Sequence, residues 1–429
     1  MDWIGAVHAS EEGWEHLERL VDIRNRMAGT EGERRAAEAT REAFGRHAED
    51  ARLDEFEVPR WERVGSTLRT GEGEEDCIAL PRSTDGTVSA PLYDAGYGLP
   101  GDFDGAEGCV VIASSDTPED FPRFVHRREK YCRALDAGAV GFVFRNHVGG
   151  CLAPTGSVNG RDEPYGPIPA VGVSKEVGAR LVRRHADEEV TVGVEARTND
   201  DGGEAESANV HAETGPETDD RILVTCHVDA HDTGEGAVDN GAGVAACVEV
   251  AKALSQRRDE PGRKVEFVGY GAEEVGLVGS ERHAGRADDV AAVVNVDGIM
   301  RSRDLRFYTH GFDGLARAVE ETTEALGIPA EVVSSTSPHS DHWSFFRRGV
   351  PTYHVKSATE GRDRGWGHTA ADTFDKLDIR NLREASVFLT ELVFRLSHAE
   401  PSHVGTEEVG RRLSVDGFEE GLRITGDWL

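Results

Sequence analysis

The chain has 429 residues and a formal net charge of −32. Phosphate backbones would be repelled by such a charge, which excludes nucleic acid as a partner. Hydrophobic residues make up 38%, enough to bury a core in two or three domains, and no run of 18 consecutive apolar residues occurs, so no membrane-spanning helix is expected.

The opening "MDWIGAVHASEEGWEHLERLV" has no basic segment followed by an apolar one. No secretory signal is expected, and a cytoplasmic location is. Residues from about 10 to 49 read as helical. In "GTEGERRAAEATREAFGRH", Thr30 is a predicted N-cap with Glu33 three residues on, and Ala36, Ala39 and Phe44 form the core-facing side. "DEFEVPRW" alternates like a strand until it meets Pro59. Between residues 85 and 203 the texture changes. "GCVVIAS" is a short buried strand. "FVHRREKYCRALDAGAVGFVFRN" is a helix stopped near Gly138, then a strand. "GPIPAVGVSKEVGARLV" is a strand followed by a helix. An acidic, Gly-rich flank, "EARTNDDGGEAESANV", suits a domain boundary, so 85–203 reads as an inserted module.

From residue 221 the rhythm is α/β. Strand "RILVTC" precedes a helix over Val244–Leu254; strand "KVEFVGYG" precedes "EEVGLVGSERHAG"; "AAVVNVD", "LRFYT", the helix "GLARAVEETTEALG" and "VPTYHV" follow. Apolar strands alternating with helices predict an open, mainly parallel (mixed) sheet covered by helices on both faces. This catalytic α/β domain is expected to span 1–84 and 204–400, with 85–203 a small inserted α/β domain and 401–429 an acidic C-terminal tail.

Side-chain usage adds two expectations. Only six of the 48 basic residues are lysine. An acidic shell of this kind suits a salt-loving host, because the Debye length falls to roughly 3 Å at molar salt and self-repulsion becomes small. The six cysteines show no C-x-x-C spacing, so neither a zinc ribbon nor a disulfide framework is expected.

Ligands in open α/β sheets bind outside the carboxyl ends of the strands. There the sequence places His227 and Asp229, then Asp239 in the following loop, then Glu273 and Glu274, then Asp297, and later His368 and Asp372 in "GWGHTAADTFDKL". Singly, each has a structural reading. A histidine at a strand end is more often a hydrogen-bonded structural residue, paired glutamates can complement a helix dipole, and an aspartate before Asn240-Gly241 can be a cap. A phosphate loop over 234–243 is disfavoured, since it lacks the required lysine and carries an aspartate. Taken together, carboxylates gathered without a cation would repel one another. Imidazole with carboxylate suits zinc, with cobalt or manganese as substitutes. Two such ions about 3.5–4 Å apart make a hydrolytic centre.

The ordered set H227-V-D229, D239-N-G-A-G, E273-E-V-G-L-V-G-S280, N-V-D297 and G-H368-T-A-A-D-T resembles the co-catalytic zinc exopeptidases of the bacterial leucyl aminopeptidase and glutamate carboxypeptidase type. The N-terminal "NRMAGTEGERRAAEATREAF" and "SDHWSFFRRGVP" also resemble that family, and "ALDAGAVGFVFRN" with "GPIPAVGVS" resembles a protease-associated (PA) domain. The resemblance implies that His227 and Asp297 bind one zinc, Glu274 and His368 the other, and Asp239 both. It further implies that Asp229 fixes the tautomer of His227 and that Glu273 is left as general base. Asp341 and His342 are expected to orient the site without binding metal, Trp366 is a candidate pocket residue, and Tyr353 is a weak candidate for an oxyanion helper. The large insert precedes H-x-D, which favours the leucyl aminopeptidase type acting on short peptides. A carboxypeptidase is the first alternative, with Arg301, Arg303, Arg347, Arg348, Arg362 and Arg364 as candidate anchors; a non-catalytic binding protein is a remote second and glutaminyl cyclisation a third. Removal of 85–203 is expected to spare the metals and alter substrate choice.

Overall fold

The computed structural model describes residues 2–159, 163–359 and 365–429. They form two compact units. One comprises Met1–Val58, Glu206–Gly361 and Asp372–Leu413, the other Pro59–Ala205, Arg362–Ala371 and Ser414–Leu429.

The first unit is built on an eight-stranded sheet in the order Glu49–Val58, Ala205–Thr214, Lys264–Tyr270, Arg221–His227, Val290–Val296, Thr352–Ser357, Leu305–Tyr308, Ala330–Val333. Its four central strands are mutually parallel, with Val224 paired to Phe267 on one side and Val294 on the other. These strands are apolar at consecutive positions because both faces are covered: Ile222, Leu223 and Val224 are all fully buried. Antiparallel partners flank the centre, making the sheet mixed. The expected α/β architecture is therefore borne out. Helix Ala242–Ser255 lies so close to the sheet that a Cβ on Gly243 would stand 2.4 Å from the Val296 carbonyl oxygen, which demands glycine there. Thr30 caps helix Glu31–Phe44, its Oγ1 accepting from the Glu33 amide. The Glu33 carboxyl turns inward, where it accepts from Gly29 N (2.6 Å), Ser207 Oγ (2.7 Å) and Ala272 N (2.9 Å).

The second unit has its own eight-stranded sheet, in which Val110–Ser114, Gly141–Arg145 and Ala170–Val173 run parallel. Successive residues of one strand feed opposite cores. Val110 and Ile112 pack with Val143, Leu181 and Val192, whereas Val111 and Ala113 pack with Tyr131, Phe142 and Phe144. This compact unit begins at Pro59, because strand Trp61–Thr70 pairs along its length with Glu189–Thr198. That strand is half-exposed and largely polar, so no apolar run announces it.

The expected acidic tail is folded. It contains helices Thr406–Val415 and Glu419–Thr425. Within the second unit Glu129 is buried between Arg123 (2.6 Å) and Arg133 (2.8 Å); Arg133 also reaches Glu420 (3.0 Å), and Arg123 Nε donates to the Gly417 carbonyl (2.6 Å). Among the described residues no helix is long and apolar enough to cross a membrane, and all six cysteines are free.

Candidate metal centre

The carboxyl ends of the central strands in the first unit carry the predicted residues. His227 closes its strand, and its Nε2 lies 3.1 Å from Asp239 Oδ1 and 3.8 Å from Asp297 Oδ1. Ligand atoms of His227, Glu273 and Asp297 all lie within 4.8 Å of one another. Four of the expected residues thus converge on one point of this sheet edge.

Each is held by its backbone surroundings. Asp229 is fully buried, and its two carboxylate oxygens accept the amides of Glu273 and Glu274, both at 3.1 Å. His227 Nδ1 is nearer to the Asp229 carbonyl oxygen (3.0 Å) than to its carboxylate (3.4 Å). The Asp229 carboxylate anchors the paired glutamates through their amides. The Asp239 loop hangs from Asp372, which accepts from Val238 N (2.7 Å) and Asp239 N (3.1 Å). Asn240 Nδ2 ties the same loop to the Val296 carbonyl at 2.9 Å. Asp297 Oδ2 accepts from Ser340 Oγ at 2.6 Å.

The electrostatics describe a site that suits a cation. Burial lowers the pKa of His227, but Glu273, Asp229, Asp239 and Asp297 outweigh it and pull the imidazole well above its usual range. Burial pushes the Glu273 carboxyl up, and the neighbouring Glu274 adds to this. Asp297 is held low against burial by His227 and His354. One imidazole ringed by carboxylates is a hard and borderline donor set that fits zinc. By contrast, His211, Glu266 and His283 form another donor cluster whose atoms are engaged: His211 Nδ1 with Glu266 (2.7 Å), Glu266 with Arg221 (3.0 Å) and His283 Nδ1 with the Tyr270 hydroxyl (2.9 Å). It is a buried ion-pair network.

Several residues here went unread in the sequence. His231 Nε2 lies 2.8 Å from Glu274 Oε2; its signal was the second histidine in "HVDAH". His354 Nε2 stands 3.7 Å from Asp297 Oδ2, and its ring stacks on His342 at 4.6 Å. His342 donates through Nε2 to the Ser337 carbonyl at 2.7 Å. Buried Arg26 donates to the Gly236 carbonyl (2.8 Å) beside the Asp239 loop. Asp341 is fully buried, which raises its carboxyl to about 8. Tyr353 is no oxyanion helper, because its hydroxyl is buried and donates to the Leu315 carbonyl at 2.7 Å. Trp366 is 38% exposed.

His368 belongs to the second unit. Its Nδ1 lies 3.3 Å from the Thr155 carbonyl oxygen and 3.5 Å from an Arg127 guanidinium nitrogen. Its backbone is left-handed, at φ 59°.

A histidine and carboxylate cluster at the carboxyl edge of an α/β sheet is the donor set of a metal-dependent hydrolase. Residues 209–393 match Peptidase family M28, and residues 84–181 match the PA domain. The chain thus carries a region that matches peptidase family M28 and a region that matches the PA domain, as the resemblance implied. It is 26% identical over 416 residues to Aminopeptidase YwaD of Bacillus subtilis, covering 92% of this chain and 86% of that one. It is 29% identical over 310 residues to Leucine aminopeptidase 2 of Trichophyton equinum, covering 63% and 59%. Among solved structures, the zinc aminopeptidase BSAP from Bacillus subtilis aligns with a TM-score of 0.69 at 23% identity over 90% of this chain and 94% of that one. A peptidase M28 precursor from Shewanella amazonensis aligns with a TM-score of 0.75 at 22% identity, over 94% and 97%. At these identities the structural likeness establishes the fold.

Proposed function

We propose that the protein is a zinc-dependent aminopeptidase that removes N-terminal residues from short peptides. The observation that carries this reading is the ring of Glu273, Asp239 and Asp297 around His227 at the carboxyl edge of the sheet. The names of the relatives, zinc aminopeptidase and leucine aminopeptidase, support it.

In this reading His227 and Asp297 would hold one zinc, Glu274 and His368 the other, and Asp239 would serve both, with cobalt or manganese able to substitute. Zinc, when bound by these residues, would supply Lewis-acid chemistry for the scissile carbonyl and the attacking water. Glu273 takes the proton of the attacking water and passes it to the leaving amine. Asp229 keeps Glu273 and Glu274 in place through their amides.

A carboxypeptidase would need arginine or lysine for the substrate carboxylate. Of the candidates, Arg303 is paired with Glu384 (2.6 Å), and Arg347 (2.7 Å) and Arg348 (2.6 Å) share Glu281. Arg362 and Arg364 lie outside the described residues. These pairings occupy three of the six candidates, Arg303, Arg347 and Arg348, which supports recognition of a free α-amino group by the carboxylates of the site. A matched pair of substrates tests the direction: a dipeptide with its amine acetylated should be rejected, and the same dipeptide with its carboxylate amidated should be cleaved. The opposite pattern overturns the assignment in favour of the carboxypeptidase.

The net charge of −32, with six lysines among 48 basic residues, supports adaptation to salt. The melting temperature should rise between 0.1 M and molar KCl as self-repulsion is screened. A flat or falling melting temperature would count against that adaptation.

A further inference from the structure

We propose that Glu33 is a positioning residue for the reaction: from helix Glu31–Phe44 its carboxylate holds the loop that carries Glu273 and Glu274. This role presupposes Glu273 as the general base of the proposed reaction. All the residues involved lie in the first unit.

Strand Lys264–Tyr270 leads into this loop, where four successive amides donate to side chains. Gly271 N donates to Asn209 Oδ1 (3.2 Å), Ala272 N to Glu33 Oε1 (2.9 Å), and the Glu273 and Glu274 amides to the two oxygens of Asp229 (3.1 Å each). The loop then closes on itself, with Val278 N donating to the Ala272 carbonyl (3.1 Å) and Gly279 N to the Gly271 carbonyl (3.2 Å). Ala272 is fully buried, so its N–H must find an acceptor inside the protein. It also sits at φ 55°, a left-handed backbone that costs a residue with a Cβ free energy and persists where its surroundings impose it. Glu33 at residue 272 and Asp229 at the next two are that imposition, and together they aim the paired glutamates.

The groups around Glu33 call for an acceptor on both oxygens. Gly29 N donates to Oε2 (2.6 Å), while Ser207 Oγ (2.7 Å) and Ala272 N (2.9 Å) donate to Oε1. A carboxylate accepts on either side, whereas a carboxamide turned either way meets one of the two backbone N–H groups with its own N–H. The loop passes so close that a Cβ on Gly271 would lie 3.0 Å from Glu33 Oε1 and 2.4 Å from Ser207 Oγ. The helix that carries Glu33 is itself anchored. Thr30 caps it, a Cβ on Gly32 would lie 1.9 Å from the Asn25 carbonyl oxygen, and Phe44 packs on Phe267 of the strand entering the loop, with ring centroids 5.7 Å apart. Glu33 thus reaches the loop from a fixed base and acts through Ala272 on the residues that follow it.

Glu33→Gln and Glu249→Gln in the full chain make a matched pair of variants. Glu249 is also buried, and its Oε1 likewise accepts a serine hydroxyl and a backbone amide, from Ser10 and Gly13, both at 2.7 Å. Both variants should melt at a lower temperature than the wild type. Only Glu33→Gln should lose kcat, by roughly 10–100-fold, the cost of a misplaced catalytic group, with KM and zinc content unchanged. In that variant the Ala272 amide should exchange with solvent roughly tenfold faster, the equivalent of one lost hydrogen bond. Wild-type kcat and exchange in Glu33→Gln, or an equal loss of kcat in Glu249→Gln, overturns this inference alone. Full turnover in metallated Glu273→Gln overturns the base assignment beneath it. If Glu33→Gln does not fold, hydrogen exchange of the wild-type chain with and without zinc decides. Ala272 should exchange as slowly as strand Val290–Val296 in both states; faster exchange without zinc would mean that the metal and not the carboxylate holds the loop, which overturns the inference.

Discussion

Glu273→Gln should keep both zincs and lose turnover by roughly 10²–10⁴-fold, the usual contribution of a general base. The substitution preserves shape and removes only the capacity to take a proton. Its backbone should not move, because the Glu273 amide is anchored on Asp229 Oδ1 at 3.1 Å whatever the side chain is. The carboxyl stands within 4.8 Å of ligand atoms of both His227 and Asp297, so a proton acceptor is already beside the proposed metal. Metal analysis and steady-state kinetics on the same preparation check the claim. Wild-type turnover in a fully metallated variant would remove Glu273 from the role of base.

Asp239→Ala should lose metal from both positions, with activity falling alongside it. The loop itself should persist, since Asp372 holds the amides of residues 238 and 239 (2.7 and 3.1 Å) and Asn240 holds the Val296 carbonyl (2.9 Å). What disappears is the one carboxylate assigned to both ions, 3.1 Å from His227 Nε2. Loss of metal with an intact fold separates a ligand from a structural residue. Two tightly bound zincs in the variant would reject the shared role.

The central strands were legible because they are covered on both faces. "RILVTC" and "AAVVNVD" contain apolar residues at consecutive positions, and His227 and Asp297 stand just where those runs end. The Thr30 cap was legible too, as a local contact three residues long. The destination of the Glu33 carboxyl was not, because Ala272 is brought to it only by folding. The same holds for Asp372, whose partners Val238 and Asp239 lie far away in sequence. Strands with one wet face, such as Trp61–Thr70, carry too few apolar residues to stand out from loops. Helix Glu419–Thr425 was hidden because its acidic composition reads as solvated, whereas Glu420 is spent on Arg133.

The division of the second unit among three stretches of chain bears on how the protein is made. A ribosome delivers Pro59–Ala205 early, yet Arg123, Arg128 and Arg133 find Gly417, Asp427 and Glu420 only in the final stretch. Until then Arg123 and Arg133 have Glu129, and the further contacts to residues 417, 420 and 427 are still to be made. Contacts of such long sequence separation form late, because the intervening chain must be ordered first. The whole of Glu206–Gly361, with the carboxylates of the other sheet, is synthesised in the interval. Neither unit is therefore completed in the order of translation, and the arginine cluster stays unfinished while Glu206–Gly361 is made.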